Sequence, residues 1–289
     1  MNRDDISVLG RVAPPALTQA TIAFARAPSG KTHVARSHVG YPFHLGRALE
    51  LAGDPPGMTS VYLQSCSGGL FEHERIGAHF SAEANAFAHI TTGASTVVHN
   101  MPNGEAHQSV QLTAGEGALL EYLPEPTILF PDARLKTRIA IELADNAVCI
   151  AGDALLLHDP RAGGGHFDWL DATAEVRDAD GRLLARDRQR IRGADFERPV
   201  PGVLGRWRVQ GTLVFALRGE RIDPLLASLR DALSGLPGLY AGASRLPNHC
   251  GVWVRLLAED AIALRGGWHA AWAAARTLLT GIAPQARRR

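Results

Sequence analysis

Hydrophobic and polar positions alternate in short runs from about residue 18 to residue 217, and Gly, Pro, Asn and Asp separate the runs. Alternation with a period of two sends successive side chains to opposite faces, the form of half-buried strands. The pattern predicts strands over residues 21–26, 60–64, 85–91, 95–99, 109–114, 135–143 and 206–217. Turn chemistry lies between them at Pro102-Asn103-Gly104, Ala114-Gly115-Glu116-Gly117 and Asp178-Ala179-Asp180-Gly181, the last placing Asp-Gly between two runs as a hairpin does.

A helical period emerges only late in the chain. Leu225, Leu226, Leu229, Ala232 and Leu233 form one stripe before Gly235, with Asp223 as the expected cap and Pro224 at the first helical position. A second helix is predicted over residues 259–280: Trp268, Ala271, Trp272, Ala275, Leu278 and Leu279 share a face, and Gly281 ends it. Glu259 and Asp260 suit its start and Arg276 its end, while Gly266-Gly267 weakens its middle. Residues 239–244 and 251–257 return to strand patterning.

No composition shift or linker divides the chain, and no repeat of fixed period is evident. The expectation is one mainly β domain over residues 18–281, with an N-terminal tail over 1–17 and a basic C-terminal tail over 282–289. Its many strands could close as a sandwich, a layered sheet, a barrel or a β-helix-like solenoid, with two α-helices in the C-terminal half; alternation does not rank these.

Composition narrows the function. With 289 residues, 46% of them hydrophobic, the chain is long enough to bury a sizeable core. Its 30 Lys and Arg against 29 Asp and Glu give no global field for a nucleic-acid partner. Cys66, Cys149 and Cys250 lie far apart, which fits neither a disulfide framework nor a paired zinc knuckle and suits the reducing cytoplasm. No secretory h-region and no membrane-length apolar run is present, so a soluble protein is expected.

Catalytic motifs fail on inspection. Gly30-Lys31-Thr32 mimics the end of a phosphate-binding loop, but the opening glycine falls on Ala25. His73-Glu74 begins a zinc-helix pattern whose second histidine is Gly77. Ser65-Cys66-Ser67-Gly68-Gly69 lacks a nucleophile elbow, and Gly163-Gly164-Gly165 opens no dinucleotide helix. Twelve histidines are dispersed without ligand spacing. Glu72-His73-Glu74 sets two carboxylates about an imidazole, though a solvated loop is the simpler reading; Cys149, between valine and isoleucine, and Cys250, beside His249, read as core.

Four blocks carry a resemblance. Ser67-Gly68-Gly69-Leu70 precedes an acidic Glu74; Thr91-Thr92-Gly93-Ala94-Ser95-Thr96-Val97 follows; the longest runs Leu-Glu-Tyr-Leu-Pro-Glu-Pro-Thr-Ile-Leu-Phe-Pro-Asp-Ala from Leu120 to Ala133; and Tyr41-Pro42-Phe43-His44-Leu45 lies upstream. Together with the Trp-bearing late helix, these resemble the UreD/UreH family of urease accessory proteins over residues 18–281. The family's Gly-Gly-Asp is replaced by Glu72-His73-Glu74, its Gln after the two threonines by Gly93, its Trp by Tyr122, and its closing Pro-Arg-Ile-Trp is absent.

The resemblance implies a β-helix-like fold and a non-catalytic role in inserting nickel into apo-urease. The implied partners are a UreF-like helical accessory protein and a UreG-like nickel-carrying GTPase. It implies no tightly bound cofactor, only nickel in transit, with Glu74, Thr91, Thr92 and Glu125 as candidate path residues and Glu72 and His73 as further candidates. Within the longest block Glu121, Glu125 and Asp132 are the possible metal contacts. Competing readings are a metal-dependent hydrolase built on Glu72, His73 and Glu74, and an interaction module that no longer conducts metal.

Overall fold

The computed structural model describes residues 18–196, 200 and 204–285. In chain order the strands are β1 (Ala20–Arg26), β2 (Thr32–Val39), β3 (Phe43–Leu45), β4 (Thr59–Ser65), β5 (Arg75–Ala82), β6 (Phe87–Thr92), β7 (Thr96–Val98), β8 (Ala106–Ala114), β9 (Leu119–Tyr122), β10 (Thr127–Leu129), β11 (Arg134–Leu143), β12 (Val148–Leu157), β13 (Trp169–Asp178), β14 (Leu183–Arg192) and β15 (Val209–Leu217). Helix α1 (Ile222–Leu233), β16 (Leu239–Arg245), β17 (Gly251–Ala258) and helix α2 (Ala261–Thr280) follow.

The middle of the chain winds as coils. β5, β8 and β11 stack in parallel register in one sheet, β6, β9 and β12 in the facing sheet, and β7 and β10 form a third short ladder. The turns joining facing strands stack as well: Gly115 N donates to Ala82 O, Ala144 N to Ala114 O, and Gly117 N to the Asn146 side chain. Each coil therefore repeats its predecessor, which the sequence conceals because successive coils differ in length and share only the side-chain alternation. Around this centre the first sheet runs β14-β13-β11-β8-β5-β1-β2 and the second β16-β17-β15-β12-β9-β6-β4-β3. The expected hairpin at residues 178–181 joins β13 to β14.

Three layers result. One core lies between the sheets, with Phe24, Phe80, Leu112, Ile141, Ile90 and Leu120 fully buried. A second lies between the other face of the second sheet and the helices, where Leu213, Phe215 and Val254 meet Leu225, Leu229 and Ala275. The outer face of the first sheet has no covering layer among the described residues, consistent with its alternation of polar and apolar positions.

Both helices form as the stripes predict, with corrections at their ends. α1 caps at Arg221 without a side-chain bond, and Asp223 sits in the first turn, its carboxylate 2.6 Å from Arg245. In α2 the Asp260 side chain accepts from Ala263 N and Gly281 closes the helix in the left-handed region. Gly267 is required: a Cβ there would lie 2.5 Å from Leu239 Cδ2, so the expected weak point is the close contact that seats α2 on β16. Gly152 likewise leaves room for the Trp268 ring, whose nearest atom would be 2.2 Å from a Cβ.

Candidate functional site

Alternation through the second sheet sorts its polar residues onto two faces. On β6, His89 and Thr91 face α2 while Ile90 and Thr92 face the first sheet; on β9, Glu121 faces α2 while Leu120 and Tyr122 face inward. The two threonines singled out in the sequence therefore belong to different environments.

The helix-facing cluster is an ion-paired network at the edge of a cavity of about 480 Å³ lined by His89, Thr91, Glu125, Trp268 and Trp272, and Trp272 Nε1 has no acceptor among the described residues. Glu121, with no exposure, accepts from Arg276 Nη2 at 2.5 Å and Nε at 3.0 Å, and its Oε2 lies 2.7 Å from His89 Nδ1. Arg276, 1% exposed, also donates to Asp54 Oδ1 at 3.0 Å and stacks on Trp272, its guanidinium 4.8 Å from the ring centroid. Burial opposes ionisation of Glu121, but the hydrogen bond and charge of His89, then the charge of Arg276, hold its carboxyl down at about 2. Arg276 is thus no dipole complement at a solvated helix end; it is the buried ion that pins α2 to the sheet. Glu121, a possible metal contact by sequence, is consumed by this pairing.

The inward-facing cluster has open space around it as well. A cavity of about 390 Å³ opens beside Gln64, Cys66, Ser67 and Gly68 and reaches Thr92, Gln108 and Tyr122. A second of about 30 Å³ shares Thr92, Gln108 and Tyr122 with it and continues to Glu125, Thr137 and Asp153. A third of about 30 Å³ shares Asp153 and Gly152 with the second and ends against Asp187, Gln189 and Thr212. Each small space is large enough for a water molecule, and Trp253 Nε1, at the wall of the third, has no acceptor among the described residues. A seam of oxygen-bearing side chains thus runs between the sheets, from an exposed mouth to the interior under β13 and β14.

Asp153 lies where the second and third cavities meet. Burial pushes its carboxyl up to about 6 despite donation from Ala154 N and the Thr137 hydroxyl. Burial, with Asp153 nearby, also raises the Tyr122 phenol. Cys149 packs in the same layer with its thiol raised by burial, as its apolar neighbours suggested, and Cys250 is buried too.

The residues named from sequence do not converge as a set. Thr92 and Glu125 meet: Thr92 Oγ1 accepts from Glu125 N at 2.9 Å and donates to Ala94 O at 3.0 Å, and both residues line the seam. Thr91 donates to Leu123 O at 2.7 Å on the helix side. Glu74 accepts from Phe71 N at 2.9 Å, Glu72 clamps the amides of Asn103 and Gly104, and His73 sits at positive φ in the exposed loop between them. Asp132 also lies at positive φ, in a turn. Among the described residues no three His, Cys, Asp or Glu side chains are grouped as a metal centre requires.

Sequence reasoning missed Asp153, Gln108, Thr137 and Arg276. Asp153 left one signal, a lone carboxylate within the otherwise apolar run Val148–Leu157. Gln108 and Thr137 look like ordinary surface positions until the coil register turns them inward.

The molecule is therefore a β-solenoid-like fold with a helical cover and a polar interior seam. The model of the UreD urease accessory protein family matches residues 17–289. The chain is similar to urease accessory protein UreD 1 of Pseudomonas syringae pv. syringae, 47% identical with 95% of this chain and 97% of the relative covered. The UreD 1 of Methylorubrum extorquens is 39% identical, with 94% and 91% covered, and that of Bradyrhizobium sp. BTAi1 35%, with 90% and 91% covered. The chain belongs to the UreD family of urease accessory proteins.

Proposed function

We propose that this chain is a non-catalytic scaffold for urease maturation, which helps deliver nickel to apo-urease in the cytoplasm as part of a complex. In this reading its partners are apo-urease, a UreF-like helical accessory protein and a UreG-like nickel-carrying GTPase. Nickel is cargo here, with no resident cofactor. The family supports the accessory role. No helix of the described residues is long and apolar enough to cross a membrane.

One observation carries the nickel reading: the row of three adjacent interior cavities that share lining residues, from the mouth at Cys66 and Ser67 past Thr92, Gln108 and Tyr122 to Asp153. Scattered neutral oxygens and the carboxylates of Glu125, Asp153 and Asp187, not grouped as one site, offer a hydrated divalent cation weak, exchangeable contacts, whereas a site of three or four strong ligands would trap it. Glu72 and Glu74, on which a hydrolytic site would be built, instead hold backbone amides in loops. The reading is tested by deleting this chain from cells expressing urease with its accessory proteins under limiting nickel. Nickel-poor, weakly active urease is expected; fully nickel-loaded urease would reject the role.

A further inference from the structure

On the outer face of the first sheet, across β11, β13 and β14 from the seam, two carboxylates are embedded among arginines. Glu175 on β13, 3% exposed, accepts from Arg138 at 2.8 Å, Arg177 at 3.2 Å and Arg186 at 2.8 Å. Asp171, two side-chain positions along the same strand face, accepts from Arg188 at 2.6 Å and Arg190 at 3.1 Å. Five guanidiniums thus surround two carboxylates, a local surplus of positive charge on a chain whose formal net charge is only +1.

The carboxylates lie beneath and the arginines above: the Arg186, Arg188 and Arg190 side chains are 47%, 52% and 72% exposed. Each guanidinium has five donors, so the N–H groups not engaged below stay available to solvent, already oriented. Holding a flexible side chain upright in advance lowers the ordering cost of a later contact. Trp169 extends the face, with Lys136 5.7 Å from its ring centroid. Protection of the edge strand β14 would explain charge at Arg186 to Arg190, but it does not require Arg138 on β11, two strands inside the edge.

We infer that this arginine face is a docking surface for an acidic patch on a protein partner in the urease-maturation complex, an inference that rests on the scaffold role proposed above. Charge complementarity identifies the partner's chemistry: carboxylates presented on a folded surface can pair with the outward guanidiniums in bidentate geometry. A nucleic acid suits the face less well, because Asp171 and Glu175 interrupt the positive field that a phosphate backbone needs.

The test is capture of co-expressed urease subunits and the helical and GTPase accessory proteins by the tagged full-length chain, at about 50 mM and about 500 mM salt. The R186E/R188E/R190E variant should lose at least one of these partners by about tenfold at low salt, whereas R186K/R188K/R190K should retain most of it. Thermal unfolding checks that the variants fold; if the glutamate variant does not, R186Q/R188Q/R190Q replaces it under the same criteria. Undiminished capture of every partner by a folded charge-altered variant would overturn the docking face and leave the scaffold role standing. Failure of the wild-type chain to capture any of them would overturn both. Binding of a DNA duplex that depends on these arginines, with partner capture unchanged, would assign the face to a polyanion instead.

Discussion

The two faces of the second sheet bury polar residues in opposite ways. Toward the helices, Glu121, Arg276, His89 and Asp54 are tied to one another by ion pairs and hydrogen bonds, at the edge of a cavity of about 480 Å³ that His89, Thr91 and Trp272 line. Toward the first sheet, Asp153, Thr92 and Tyr122 border unfilled space, which Gln108 on β8 faces from the other side. The same strands carry both, one residue apart. A buried charge matched by an opposite charge fastens layers together, whereas the half-buried Asp153 carboxylate, held by an amide and a hydroxyl beside room for water, is open to a passing cation.

The largest effect expected from breaking this contrast is on the ion-paired side. Arg276→Met leaves Glu121 buried with only His89 beside it and should cost about 3–5 kcal/mol in urea unfolding. The Glu121 carboxyl is held down, so its contribution is present above the ordinary carboxylate range and fades as pH falls toward about 2. The variant's deficit should therefore shrink in acid. A deficit below about 1 kcal/mol at neutral pH would mean that α2 is held by its apolar stripe alone.

Asp153 should behave with the opposite sign. Its folded-state value of about 6 exceeds the ordinary 3.8, so burial of the carboxyl costs nothing below about pH 4 and weakens the fold progressively as pH rises through 6. Asp153→Asn should raise the melting temperature at pH 8, by no more than about 3 kcal/mol of stability, and leave it unchanged in acid. Lower stability of the variant at pH 8 would show that an unrecognised cation partner stabilises the carboxylate. A smaller effect, about 1–3 kcal/mol of destabilisation, is expected of Gly152→Ala, which forces Trp268 off the sheet between the two polar regions; unchanged thermal unfolding would show that the ring has room to shift.

How much of this was legible in the sequence depends on range. Strands, hairpin and helices were readable because alternation, Asp-Gly and the Leu and Trp stripes are local signals, and the block from Leu120 to Ala133 pointed to the family. Coil stacking was not, since it pairs Gly77 with Ser109 and Ala114 with Leu143 across turns of unequal length. The seam needs that register: only stacking brings Thr92, Gln108 and Asp153 to one interior. The Arg276–Glu121 pair joins residues 155 positions apart, and nothing near Arg276 in the sequence distinguishes it from a solvated helix terminus. Of the path residues named from sequence, Thr92, at the end of β6, and Glu125, in the loop after the neighbouring β9, fall on the seam, where Glu125 N donates to the Thr92 hydroxyl.

The role of the seam is tested most directly by obstructing it at its narrow junction without touching either helix. Nickel per active site should be measured in urease purified from cells carrying Asp153→Leu in place of the wild-type chain, with complex assembly and thermal stability checked in parallel. A well-folded, normally assembled variant that leaves urease severely nickel-poor is the expected result; full nickel loading through that variant would contradict passage along the seam.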